Sequence, residues 1–317
     1  MPELPEVETI KRGLERLIID RRIKSVTSDN QKSFPNSEND IKSFLIDSKI
    51  KNIHRRAKIL MIDLSTGYTL VIHLKMTGQL VFVSECRENR DSKMGNGKLK
   101  SSIPISQSSN SVTKTRFGGG HPTDSLINSL PDKSTRVIFE FDDGSKLFFN
   151  DQRKFGWIKL VPTAEVPNID FIKKVGPEPL ESNFTSEQFA ERFKRRSNTT
   201  IKAALLDQSV VAGIGNIYAD ESLWGAKIHP ATKVGDLSFL KLKRLYSEVR
   251  YVMNLSIEKG GSTNRNYVNA EGKKGSYMDF ARVFHREGQL CPRCGTEIIK
   301  IRVAGRGTHI CPKEQKL

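Results

Sequence analysis

The chain has 317 residues, with 52 Lys and Arg against 36 Asp and Glu, for a formal net charge of +16. That length exceeds one ordinary domain and predicts two with a small appendage, and the positive surplus calls for a polyanionic partner, nucleic acid first. No run approaches the roughly eighteen apolar residues of a membrane-spanning helix and no secretory signal opens the chain, so the expectation is a soluble, intracellular protein with no membrane partner.

The first nine residues read Met1-Pro2-Glu3-Leu4-Pro5-Glu6-Val7-Glu8-Thr9. An initiator methionine before a small residue is normally removed, which leaves Pro2 with a free secondary amine. Such an amine titrates near about 8, below a lysine side chain, so a nucleophilic neutral fraction exists at physiological pH. Attack on a sugar anomeric carbon would give an iminium, with Glu3 alongside as acid or base. The same residues also suit a plain helix start, where proline fits the first turn and carboxylates face the positive end. Val7, Ile10, Leu14, Leu17 and Ile18 follow at helical spacing.

Alternation and β-formers then predict strands over Ile59–Leu64, Leu70–Leu74, Leu80–Val83, Arg136–Phe141 and Leu147–Phe149, with Asp143-Gly144 as a hairpin turn between the last two. These make an antiparallel β domain, read as a sandwich. Between Ser84 and about Lys133 the pattern dissolves into Ser, Asn, Gly and Lys, and the segment reads as a long loop insertion. Pro162 to Asn183 has the proline content of a linker. Beyond it the chain turns helical: Thr185 and Gln188 form a capping box, and Ser238 opens a helix running to Glu258 before Gly260-Gly261. The predicted domains are 1–162, a linker over 163–183, a helical domain over 184–285 and a hairpin unit over 286–317.

Within the helical part, Gly213-Ile214-Gly215-Asn216 opens a helix, so free N–H groups and the Asn216 side chain face an anion such as phosphate, unless the glycines serve packing alone. Near the C-terminus, Cys291-x2-Cys294-x16-Cys311-x2-Glu314 has zinc-ribbon spacing up to its last position, where Glu314 replaces a thiolate. Arg306, in the intervening Ala304-Gly305-Arg306-Gly307 turn, suits a phosphate contact or a solvated tip.

Taken together, the PELPEVET start, Arg55-Arg56-Ala57-Lys58, His73-Leu74-Lys75-Met76-Thr77-Gly78, Asp151-Gln152-Arg153-Lys154-Phe155-Gly156, Gly176 to Leu180, Gly213 to Glu221, Tyr267-Val268-Asn269 and the cysteine finger resemble the formamidopyrimidine-DNA glycosylase family along almost the whole chain. The resemblance implies an α+β fold: an N-terminal antiparallel β-sandwich with a leading helix, a helix-two-turns-helix domain and a terminal zinc-finger-like β-hairpin. It implies a monomeric bacterial cytoplasmic enzyme that everts oxidised purines from double-stranded DNA. Pro2 and Glu3 would release the base, with Lys58 and Arg306 serving the two strand-cleaving eliminations. Met76, Arg153 and Phe155 would fill the void left in the duplex. Asn216 would hold a backbone phosphate, Glu6 would orient the N-terminus, and His73 and Tyr218 belong to the same DNA-binding set. Arg136 stands near the place of a histidine-containing DNA contact in the family. The Ser262 to Ser276 loop resembles the segment that closes over an everted purine. One structural zinc ion is implied on Cys291, Cys294 and Cys311, with Glu314 or His309 as further donors and a metal-free hairpin as the other outcome. A sister group of endonuclease VIII type, a noncatalytic DNA binder and an RNA-binding ribbon protein are the competing readings. Leu4 after Glu3 looks like the purine-specific branch, since the sister group generally carries glycine there.

Overall fold

The computed structural model describes residues 1–87, 112–120, 129–262 and 277–317. Helix α1 (Leu4–Ile18) starts where the sequence places it: Glu3 is the N-cap, it forms a reciprocal capping box with Glu6, and Pro5 occupies the first turn. Strands β1 (Ile23–Ser28), β2 (Ile50–Arg56), β3 (Ile59–Leu64), β4 (Tyr68–His73), β5 (Gly78–Arg87), β6 (Val112–Gly120), β7 (Thr135–Phe141), β8 (Lys146–Asp151) and β9 (Trp157–Pro162) follow, with the short α2 (Glu38–Asp40) after β1. They form two sheets of order β1-β7-β8-β5-β6 and β2-β3-β4-β9, and every ladder in them is antiparallel. One core joins Ile53, Leu60 and Ile62 of one sheet to Leu80, Phe139 and Phe149 of the other, with Val7, Ile10, Leu14 and Ile18 of α1 inserted in it. The predicted sandwich is therefore present, and Gly144, with φ 79°, makes the β7–β8 turn at Asp143-Gly144.

One segment departs from the sequence reading. The stretch from Ser84 to Lys133, read as a loop insertion, contains β6, which pairs with β5 along its length; residues 88–111 and 121–128 lie outside the described residues. The physical reason is close packing. Gly118-Gly119-Gly120 reads as loop in sequence, but a Cβ on Gly119 would meet the Ile10 side chain, and a Cβ on Gly13 would meet the buried Phe117 ring. The glycines let α1 lie flush on β6.

The presumed linker is also partly folded, since Thr163–Asn168 is a 3-10 turn and α3 (Asp170–Lys174) follows. Val166, Phe171 and Ile172 pack there against Ile59 and Val71 on the outer face of the second sheet. Beyond it lie α4 (Ser186–Lys194), α5 (Ile201–Leu206), α6 (Asn216–Ala226) and α7 (Phe239–Glu258). Thr185 and Gln188 form the expected capping box and Ser238 caps α7. Their core, built on Phe189, Phe193, Leu205, Leu223, Leu245 and Val249, also contains Leu4, so α1 contributes its first residue to one core and its later ones to the other. The chain ends in the hairpin β10 (Ile299–Val303) and β11 (Arg306–Ile310). Its turn is Ala304-Gly305, both at positive φ, which places Arg306 at the first position of β11 rather than inside the turn.

Gly13→Ala is expected to lower stability by about 1–3 kcal/mol, the usual cost of overpacking a filled core. Thermal unfolding checks this, and an unchanged Tm would mean that α1 does not sit flush on β6.

Candidate active site

The N-terminus is held in a pocket made by the turn before α6. Leu4 N donates to Gly213 O at 3.0 Å. The Glu3 carboxylate accepts from Gly215 N at 2.7 Å and from Ile217 N at 3.0 Å. The glycine-rich turn therefore does meet an anion, as its N–H groups require, but the anion is the chain's own Glu3. Its glycines are explained by close approach, because a Cβ on Gly213 would meet the Leu4 side chain and one on Gly215 the Glu3 carboxylate. Gln208, which sequence reasoning missed, braces the same turn by accepting from Gly213 N at 2.9 Å and donating to Ile214 O at 2.8 Å.

Two opposing effects act on Glu3. Burial raises its pKa and the nearby Glu6 carboxylate adds to the rise, while Lys58 and the two backbone donors oppose it; the balance lies at about 7. Lys58 is buried and donates to Ile214 O at 2.8 Å. Its pKa is lowered by burial, against the pull of Glu3 and Glu6, and Arg306 lowers it further. Burial likewise holds the Met1 terminal amine below its ordinary value, with Glu3 and Glu6 opposing and Lys58 and Arg153 adding to the effect. The N-terminus, Glu3, Glu6, Lys58, Arg153 and Arg306 thus share one electrostatic neighbourhood. Within it the terminal amine, Glu3 and Lys58 are the groups that burial shifts, and a cluster of shifted acids and bases is a physical mark of a functional site.

A second cluster faces solvent. Met76 and Phe155 are 41% and 54% exposed, against the usual preference of such side chains. Arg153 joins them, with its Nη1 3.1 Å from Met76 Sδ and its guanidinium 4.9 Å over the Phe155 ring. The buried Asp151 carboxylate fixes the loop beneath, accepting from Arg153 N, Gly156 N and the Thr77 hydroxyl. Asn216, at the head of α6, donates to Gly307 O at 3.0 Å and so ties that helix to the strand carrying Arg306.

Three residues expected to face DNA, Tyr218, Arg136 and His73, are turned inward, as is Glu6. Tyr218 is fully buried and donates to the Glu6 carboxylate, with the Ser256 hydroxyl also in contact. Glu6 spends its oxygens on Tyr218, Glu3 N and Ser262 N, which fits its expected role of orienting the N-terminus. Arg136 is buried among Asp29, Asp151 O and Lys133 O. His73 accepts from Lys75 N through Nδ1 and packs on Phe171; burial, with Lys75 and then Lys58, pushes its pKa down to about 3, so its imidazole is neutral. The family resemblance implied DNA contacts for Tyr218, Arg136 and His73; in the structure these buried side chains are engaged by protein partners. Residues 263–276, which include Tyr267-Val268-Asn269 and most of the loop expected to close over an everted base, lie outside the described residues.

In the terminal hairpin the thiols of Cys291, Cys294 and Cys311 lie within 4.8 Å of one another, a donor set that fits a soft cation such as zinc. Glu314, expected as a further donor, is not among these clustered groups; its carboxylate lies 2.8 Å from Lys227 Nζ and 3.1 Å from Arg293 Nη1. His309 is also committed elsewhere: its backbone N donates to Asp220, its Nδ1 is 3.3 Å from the same carboxylate, and its Nε2 lies 3.0 Å from Glu287, out of line for a hydrogen bond.

The raised Glu3 pKa has a stability consequence of definite sign. Between pH 4.5 and 7 the folded chain keeps a proton on Glu3 that the unfolded chain releases, so this residue makes stability fall as pH rises through that window. Glu3→Gln removes the dependence. Urea unfolding should show the wild type losing about 3 kcal/mol relative to Glu3→Gln across the window, and a pH-independent difference would show that Glu3 titrates normally.

The N-terminal domain model of formamidopyrimidine-DNA glycosylase matches residues 1–158, its H2TH domain model residues 175–268, and a zinc finger found in FPG and IleRS residues 288–313. The formamidopyrimidine-DNA glycosylase of Pelotomaculum thermopropionicum is 38% identical over 318 residues, covering 100% of both chains. Among solved structures, a Lactococcus lactis FPG mutant in complex with a Fapy-dG containing DNA has a TM-score of 0.80 at 31% identity, and MutM in complex with carbocyclic 8-oxo-G containing DNA has 0.79 at 31%, each covering 100% of both chains. The finger match and the thiol cluster together support a structural zinc. By these matches the chain belongs to the formamidopyrimidine-DNA glycosylase family, enzymes of base-excision repair.

Proposed function

We propose that this chain binds double-stranded DNA, removes oxidised purines such as 8-oxoguanine and formamidopyrimidines, and cleaves the strand at the resulting site. The observation that carries the reading is Glu3, a buried carboxyl whose pKa of about 7 lets it hold a proton at neutral pH beside the N-terminus. Once Met1 is removed, the Pro2 nitrogen attacks C1′ of the damaged nucleotide. The C1′–base bond breaks and the base takes up the proton given off by the Pro2 nitrogen, while Glu3 delivers its proton to O4′ as the C1′–O4′ bond opens to leave an iminium. Loss of the C2′ proton then expels the 3′ phosphate, and a second elimination expels the 5′ phosphate. Lys58, whose ammonium is destabilised by burial, suits proton donation in the first elimination. Arg306 acts in the second chiefly by holding phosphate, since a guanidinium gives up a proton poorly.

The exposed trio of Met76, Arg153 and Phe155 supports eversion of the damaged nucleotide: a thioether and a ring can occupy a stacked space while the guanidinium bonds the orphaned base. Asn216 keeps an amide donor available to a phosphate while its other contact holds Gly307. Leu4 after Glu3 favours purines over pyrimidines. The bacterial source of its relative supports a cytoplasmic setting.

Borohydride trapping on duplexes containing 8-oxoguanine, with peptide mapping of the adduct, tests the reading. A link at Pro2 is expected. Glu3→Gln should slow base release on the order of 10²-fold or more while duplex binding changes little. Faster excision of thymine glycol than of 8-oxoguanine would favour the endonuclease VIII-type reading; no adduct, with Met1 removed and DNA bound, would leave a noncatalytic binder. Separately, Phe155→Ala together with Met76→Ala should weaken binding to damaged duplex by about 1–3 kcal/mol, the worth of a stacking contact, and fluorescence anisotropy reads it directly.

A further inference from the structure

A four-thiolate finger closes its loop through the metal, and classical fingers of this kind unfold when the metal leaves. Here the position of the fourth thiolate is held by Glu314, and its carboxylate closes the same loop without a metal. It reaches Arg293, which lies inside the Cys291-Pro292-Arg293-Cys294 knuckle, and Lys227, the left-handed C-cap of α6. Arg293 in turn stacks 3.9 Å over the Trp224 ring of α6 and donates to Trp224 O at 3.2 Å. The next residue, the buried Gln315, accepts from Cys311 N at 3.0 Å and donates to Ile228 O at 3.0 Å. Knuckle, C-terminal turn and helix end are thus joined by direct protein contacts.

The opposite end of the hairpin is seated independently of the thiols. Lys202, fully buried, lies 2.6 Å from Asp220 and donates to the Thr308 hydroxyl at 2.6 Å. Asp220 accepts from His309 N at 2.9 Å. Together with Asn216 on Gly307 O, these bonds fix the start of β11, where Arg306 stands. Between the two ends, Trp224, Val283 and Ile298 form a small apolar cluster with Cys291 and Cys311.

We propose that Glu314 is a positioning residue that latches the Arg306 hairpin onto α6, so that zinc is held by three thiolates only and can leave without unseating the hairpin. An exposed ion pair contributes little alone; the latch acts by orienting a unit that the Lys202–Asp220 network and the Trp224 cluster already hold. This inference rests on the reading of the hairpin as a DNA-contacting element.

The test uses the full chain, a strong zinc chelator and a duplex carrying an uncleavable abasic-site analogue, with bound zinc measured by atomic emission. The wild type should lose its zinc, and its Kd for the duplex should rise by less than about threefold, where loss of a structural metal site would abolish a metal-dependent fold. Glu314→Gln and Lys227→Gln should bind like wild type when zinc-loaded and about three- to fivefold more weakly than the stripped wild type when stripped, with Glu314→Asp recovering part of that loss. Collapse of wild-type binding on zinc removal overturns the proposal, as does a stripped Glu314→Gln protein that binds as tightly as the stripped wild type. Because the duplex cannot be cleaved, absence of glycosylase activity would sink the functional reading without touching this result.

Discussion

The contact between the Glu3 carboxylate and the N–H groups of Gly215 and Ile217 is the constraint on which the rest of the structure depends. Glu3 precedes the helix that fills the sandwich core, and the turn it caps belongs to the helical domain. One interaction therefore sets both the docking of the domains and the chemistry at their junction. Complete burial favours the neutral acid, whereas Lys58 and, after it, the backbone donors at the helix N-terminus favour the ionised carboxylate. Neither wins outright, and the pKa rests near neutrality. A carboxyl in the same place but open to water would be ionised and useless as a proton donor; one buried without those donors would be locked in its acid form.

Lys58 depends on a matching clamp. It follows Ala57, which is at φ 53°, a conformation that L side chains adopt only when surroundings enforce it. Glu178 enforces it, accepting from Ala57 N at 2.5 Å and from Arg55 at 2.8 Å, while Arg55 also reaches Glu8 of α1. Arg56 extends the clamp to Glu181 and Gly176 O. Partly buried ion pairs of this kind add little net stability once desolvation is counted. Their effect is geometric: the turn carrying Lys58 is gripped from the α1 side and from the interdomain segment, so the lysine cannot move without separating the domains.

Local rules in the sequence disclosed what local physics determines. Proline and glutamate at the head of α1, the Asp143-Gly144 hairpin, the Thr185–Gln188 box and the Ser238 cap each act within a few residues, and each is present. Long-range contacts were illegible. Strand β6 was lost because the reason for its glycines is α1, more than a hundred residues earlier. The Gly213–Asn216 turn announced an anion site but not that Glu3 would occupy it. Tyr218, Arg136 and His73 carry the polar atoms of ligand contacts, and only their burial shows which partner each serves. Lys202 and Asp220 gave no signal at all, since a spacing of 18 residues between a lysine and an aspartate means nothing until the fold joins them.

The site also inverts the usual partition of a globular protein. Its ionisable groups, Glu3, Glu6 and Lys58, lie inside, while Met76 and Phe155 stand in solvent. Burying charge costs several kcal/mol per unpaired ion, so the interior groups hold one another and the backbone at the turn. The exposed apolar pair is covered only in part, by Arg153, and is free to meet an apolar environment from outside. The stacked interior of a duplex, opened by removal of one nucleotide, supplies such an environment. On the proposed function, one binding event covers the exposed side chains and brings the sugar to the buried acid, so that surface and interior act as two halves of one arrangement.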